Sequence, residues 1–193
     1  MNETDPPSAL VPSGVPSGVP SAMTIRTATR GDRVGILEVV RQAFASPDRD
    51  GGEELDIVES TWRLQAAPEG LELVASEDGS VVGHVLAGYG DLGGREVVAI
   101  APLAVRPSRQ GGGVGSALMT ELLARAEARG LPLVVLLGRP AFYRRFGFEP
   151  AASLGISYRP VGAGNPHFQV RRFAGYDSSY RGDFTYCWEM QPS

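Results

Sequence analysis

The chain of 193 residues has few of the groups that hold metals or disulfides: one cysteine, Cys187, and two histidines, His84 and His167. A lone cysteine closes no internal disulfide, which fits a reducing compartment and an expected cytoplasmic location. The histidines lie far apart, so no metal-ligand cluster is expected. Positive charge is not in excess either, with a net charge of −4 and a pI near 5.3. A nucleic-acid platform needs a basic face to meet phosphates, so no nucleic-acid partner is expected. No apolar stretch reaches the roughly 18 residues of a membrane span, so no membrane partner is expected.

What is present suits one globular domain: 42% hydrophobic and 21% charged residues are ordinary for a chain of this length. Residues 1–22 stand apart. They repeat a Val-Pro-Ser-Gly unit whose proline and glycine oppose helix and ladder alike. The expected division is therefore a disordered tail over 1–22, with no signal-peptide pattern, and a folded domain over 23–193.

The domain is organised around Ile100 to Gly130. An apolar run stops at Arg106-Pro107, and a turn dense in glycine follows, Arg109-Gln110-Gly111-Gly112-Gly113-Val114-Gly115. Val114, Leu118, Leu122 and Ala126 then recur every four residues on one helical face, which Gly130 is placed to end. A strand, glycine loop and helix in this order aim backbone N–H groups and the positive end of a helix dipole at one point. That arrangement suits an anion but does not name it. No Gly-Lys-Ser/Thr closes the loop as a Walker-type turn requires, and Leu118 occupies the third small position of a dinucleotide fingerprint. A turn that serves only close packing remains the bland alternative.

Before this unit, Thr24–Ala28 reads as a strand and Thr29 to Asp32 as cap candidates for a helix over 34–44. A second helix is expected over 53–65. Two apolar strands, 71–76 and 81–89, flank an Asp78-Gly79 turn and predict a hairpin. In the strand over 96–105, Pro102 cannot donate to a ladder, so the strand bulges or stops pairing on one side. A plain edge strand or a deliberate split near Leu103, Ala104 and Val105 both satisfy that requirement. Residues 131–137 read as a strand covered on both faces, 141–146 as a short helix, and 151–166 as loops. The last strands are expected at 168–173 and 184–190, with Cys187 packed in the second.

Two motifs in this order resemble the GNAT superfamily of N-acetyltransferases. One is Q/R-x-x-G-x-G/A after a strand, here Gln110 to Gly115; the other is Tyr-x-x-x-Gly-Phe, here Tyr143 to Phe148. With Pro102-Leu103-Ala104-Val105 the likeness extends to the YhbS-like N-acetyltransferases, and it covers about Thr24 to Pro150. The resemblance implies an α/β fold with a mixed, mostly antiparallel twisted sheet. About seven strands would be flanked by about four helices, with strands 4 and 5 splayed. It implies acetyl-CoA as co-substrate, its diphosphate on N–H groups of Gln110, Gly111, Gly112, Gly113, Val114, Gly115 and Ser116. Its pantetheine arm would pair with the backbone of Leu103, Ala104 and Val105.

By the same resemblance Tyr143 is the general acid for the departing thiolate; a merely packed aromatic is the alternative. Glu96 is the first choice of base for the amine, with Glu54, Asp91, His84 or a water chain as others. The implied reaction is acetyl transfer to a primary amine of a small molecule or a protein. A non-catalytic acyl-CoA sensor and an enzyme for longer acyl-CoA are the rival readings. A homodimer joined through the aromatic final strands is compatible with the sequence.

Overall fold

The computed structural model describes residues 22–48, 50–162 and 164–190. The expected disordered tail lies, up to residue 21, outside the described residues. The first half contains β1 (Thr24–Thr27), α1 (Arg33–Phe44), α2 (Gly52–Leu64), β2 (Glu72–Glu77), β3 (Ser80–Leu92) and β4 (Arg95–Val105). The second contains α3 (Val114–Ala128), β5 (Leu133–Leu137), α4 (Pro140–Tyr143), β6 (Glu149–Pro150), β7 (Ile156–Ser157), β8 (Phe168–Arg172) and β9 (Gly182–Tyr186).

The entry to α1 shows how the sequence sets an element's start. Asp32 accepts the Thr29 N–H at 2.8 Å, and its two carboxylate oxygens each take a guanidinium N–H of Arg26 at 2.7 Å. The capping box and the ion pair together fix where the chain leaves β1.

The sheet runs β1-β2-β3-β4-β5-β8-β6. The first four strands are antiparallel neighbours; β4 and β5 pair parallel, joined through α3. One face is covered by α1 and α2, whose Ile36, Val39, Val40 and Val58 pack on Val74, Leu86 and Ala104. The other is covered by α3. The expected stripe of Val114, Leu118, Leu122 and Ala126 is buried, widened by Met119 and Leu123. Close approach of α3 depends on Gly83: a Cβ there would lie 2.8 Å from Val114 Cγ1 and 2.9 Å from Leu118 Cδ1.

The expected mixed sheet with strands 4 and 5 splayed is found, with nine strands among the described residues rather than about seven. The extra two, β6 just before the Gly- and Pro-rich stretch and β7 within it, are two-residue ladders too short to leave a period in sequence. Among the described residues the final strands do not pair with each other. β8 lies against β5, while β9 crosses to β3 and continues the edge that β2 leaves, with Gly90 opposite Tyr186.

Candidate active site

The opening in the sheet can be read from the register. β4 pairs with β5 only at Val98, Ile100 and the residue between, and the ladder stops there. Against β3 the register shifts by one residue at Ala101-Pro102, so Val85 faces Leu103 while Ala87 faces Ile100. Proline thus marks both a bulge on one side and the end of pairing on the other. Beyond it the Arg106 N–H donates to Val82 O at 2.9 Å. Because bonded and non-bonded pairs alternate in an antiparallel ladder, Ala104 turns its polar groups to β3, and Leu103 and Val105 turn theirs to the opening. Ala104, expected as a third backbone contact, is therefore committed to β3, and its side chain is buried under α1 and α2.

The glycine turn meets this opening. Gly111 and Gly113 take positive φ, +78° and +86°, which lets the chain fold back onto the first turn of α3. A Cβ on Gly115 would lie 3.4 Å from Val105, 3.7 Å from Phe142 and 3.8 Å from Leu103, so the helix start, the freed strand and α4 converge there. Among the described residues no acceptor meets the N–H of Gly111, Gly113, Val114, Gly115 or Ser116. Two expected members differ. The Gln110 N–H is used by Pro107 O at 3.3 Å and the Gly112 N–H by Arg109 O at 3.4 Å, because closing the turn requires them. The Gln110 side chain braces the strand instead, donating to Val105 O at 3.0 Å. At the other end of the turn Arg145 donates to Ser116 Oγ at 2.8 Å and stacks over Phe142.

Tyr143 stands where β5 ends. Its ring meets Phe142 edge-on at 4.8 Å and Phe148 at 5.8 Å, and it lies flat enough on Gly138 that a Cβ there would be 2.3 Å from Cε2. Burial pushes the phenol up to about 12, partly opposed by the nearby Arg139 charge. The hydroxyl is therefore protonated at neutral pH and able to donate. No hydrogen-bond partner among the described residues meets it.

Glu96 is not brought to this cluster. It is exposed at the start of β4, opposite Asp91. It lies four positions before Ile100, roughly 13 Å along a strand that rises about 3.3 Å per residue. His84 is fully buried under α1 and α2; its Nε2 lies 3.1 Å from Glu72 Oε1, which also accepts from Trp62 Nε1 at 2.9 Å. Sequence reasoning placed a strand over 184–190 but did not bring its end to the site. Tyr186, Cys187 and Trp188 fold back over β3, where a Cβ on Gly88 would lie 3.5 Å from Cys187 Sγ and 3.6 Å from Trp188. The alternation of Phe184, Tyr186 and Trp188 was its one visible signal. Burial, the largest influence, raises the Cys187 thiol, so the residue packs as an inert side chain.

A strand that parts from its neighbour, with free main-chain groups, beside a lysine-free glycine turn at a helix start, agrees with a family model. The model of the acetyltransferase (GNAT) family matches residues 36–148. The chain belongs to that family. The uncharacterized N-acetyltransferase YhbS of Escherichia coli K12 is 36% identical over 155 residues, 79% of this chain and 88% of that protein. YjhQ of the same strain is 33% identical over 133 residues, 67% of this chain and 71% of that protein. The crystal structure of YhbS from E. coli in complex with CoA superposes with a TM-score of 0.76 at 31% identity, covering 96% and 93% of the two chains. A GNAT acetyltransferase from Brucella melitensis, in complex with acetyl-CoA, gives 0.71 at 32% identity, covering 86% and 96%. Among the described residues of this GNAT protein no helix is long and apolar enough to cross a membrane, and no group of three or more His, Cys, Asp or Glu could hold a metal ion.

Proposed function

We propose that this GNAT protein transfers the acetyl group of acetyl-CoA to a primary amine by direct attack on the thioester. One observation carries the reading: Leu103 and Val105 direct main-chain groups into the split between β4 and β5, next to five unmet N–H groups at the start of α3. The donor set fits the cofactor. Gly111, Gly113, Val114, Gly115 and Ser116 offer N–H groups to a diphosphate, and the helix dipole favours its charge. The amides of a pantetheine arm match Leu103 N–H and C=O and Val105 N–H, as an added strand would.

This places the thioester beside the parted strands, within the reach proposed for Tyr143. The amine nitrogen attacks the carbonyl carbon, the C–S bond breaks, and the departing sulfur takes up charge. Tyr143 donates its hydroxyl hydrogen bond to that sulfur. A phenol near 12 gives its proton to a thiolate of ordinary pKa ~8.5 only uphill, so its contribution is to stabilise the developing charge. The amine's proton leaves through water, since a held neutral amine attacks readily by proximity, and water returns a proton to the sulfur. The products are the acetamide and CoA thiol.

The test is thiol release from acetyl-CoA across a panel of alkyl and aryl amines, with calorimetric titration of acetyl-CoA alongside. Binding with amine-dependent thiol release supports the reading. Binding without release from any amine would leave a sensor, and absence of binding would remove the site.

A further inference from the structure

The two faces of β4 carry different chemistry. Val98 and Ile100 pack with α3, Tyr143 and Phe148 on one face. Val97, Ala99 and partly Ala101 pack on the other with Tyr158, Phe184, Tyr186 and Trp188. Tyr143 and Tyr186 therefore lie on opposite faces of β4, and Tyr143 contributes, after burial, Tyr158 and Glu189, to raising the Tyr186 phenol. The proposed cofactor path occupies the α3 face. The aromatic face is left for whatever attacks the thioester.

That face has the features of a cation seat. Trp188 stacks on Tyr186 at 4.3 Å with an interplanar angle of 19°, and it is only half-buried. Beside it the Glu189 carboxylate is fixed twice, accepting from the Tyr158 hydroxyl and, at 3.2 Å, from the Tyr186 N–H. Both bonds orient the carboxylate, yet neither brings a positive charge. Among the described residues no arginine or histidine forms an ion pair with Glu189, which is exposed. An aromatic face next to a positioned, uncompensated carboxylate is the chemistry that recognises an ammonium.

We propose that Trp188, Tyr186 and Glu189 form the acceptor seat, and that the acceptor is a primary alkylamine arriving as its ammonium ion. The inference rests on the acetyl-transfer reading above and specifies its second substrate. The ammonium settles against the Trp188 ring with Glu189 as counter-ion. It then loses a proton to water as its nitrogen advances through the split toward the thioester.

Tetramethylammonium chloride is the probe, since it carries the charge but no transferable hydrogen. With CoA bound, tryptophan fluorescence is titrated in the wild type and in Trp188→Phe, against sodium chloride of equal ionic strength. Choline and its neutral isostere 3,3-dimethylbutan-1-ol provide an arm that needs no variant. Expected are a saturable change in the wild type, none in Trp188→Phe, and at least about 5-fold weaker binding of the neutral isostere than of choline. Glu189→Gln, checked by thermal unfolding, should weaken tetramethylammonium by a similar factor. A protein that binds CoA but shows no saturable response, responds equally in Trp188→Phe, or binds the isostere as tightly overturns the seat while leaving acetyl transfer standing. Failure to bind CoA would instead strike the acetyl-transfer reading.

Discussion

The half of the molecule from β4 to β5 and the segment from β6 onward solve different recognition problems with different parts of the chain. The first presents main chain: Leu103 and Val105 turned outward, and amides exposed by Gly111 and Gly113 at positive φ. The second presents side chains: Tyr158, Tyr186, Trp188 and Glu189, gathered by a strand that crosses to β3. A backbone site depends on where glycine and proline fall. A side-chain site depends on which distant segments meet. Substitutions in the two regions should separate accordingly, and the substitution with the largest expected effect lies on their border. Tyr143→Phe should lower kcat by about 10²-fold or more while the acetyl-CoA dissociation constant stays within about twofold, because only the sulfur donor is lost. Single-turnover kinetics with separate calorimetry reads both. An unchanged rate would return Tyr143 to the role of a packed aromatic covering Gly138.

Gly113→Val tests the backbone half. Its φ of +86° is costly for a β-branched residue, about 1–3 kcal/mol, and relief of that strain would turn the amides away from their common point. Acetyl-CoA affinity should fall about 10-fold or more, while ammonium binding on the opposite face of β4 should be far less affected. If both fell together, the two halves would be one unit and the contrast would fail.

The same contrast explains what the sequence revealed. Pro102, the glycine turn and the stripe of Val114, Leu118, Leu122 and Ala126 are local signals, and each corresponds to a feature of the fold: a bulge with a split, positive-φ turns, and a buried helix face. Glu96 carries no such signal, because a carboxylate at the start of the right strand says nothing of its distance along that strand from the opening. The crossing of β9 to β3 was invisible for a related reason. Strand pairing across nearly a hundred residues leaves no periodicity to read, and Tyr186 acquires its neighbours only once Gly90 lies opposite it. Gly138 leaves no such trace either, because its requirement comes from the Tyr143 ring lying where a Cβ would be.

A substitution outside both halves gives the stability scale. The Arg26 guanidinium, with smaller help from Thr29, holds the Asp32 carboxyl well below its usual range. A depressed carboxyl contributes stability that is present above the ordinary value of ~3.9 and lost as pH falls through the folded one. Asp32→Asn should cost roughly 1–2 kcal/mol at pH 7 by urea unfolding, and the gap from the wild type should narrow as the pH is lowered below about 4. Neither acetyl-CoA affinity nor amine preference should move. A gap that stayed constant to pH 2 would show that geometry at the helix entrance, rather than charge, does the holding.

The smallest expected effect sharpens the contrast within the backbone half. Gln110 opens the motif that marks the family resemblance, yet its N–H closes the turn onto Pro107 O and its side chain ties Val105 O at 3.0 Å. These bonds make it a brace between the turn and the freed strand. Gln110→Ala removes one exposed neutral hydrogen bond, worth about 0.5–1.5 kcal/mol, and leaves every free amide of the turn in the chain. Acetyl-CoA affinity should fall only about 2- to 5-fold, with dephospho-CoA and CoA weakened equally because no phosphate contact is lost. Pantetheine alone, which reaches Val105 but not the turn, should lose a similar factor. If pantetheine were unaffected while CoA lost tenfold or more, the Gln110 side chain would be a ligand of the diphosphate after all, and the cofactor half would no longer be a site made of main chain.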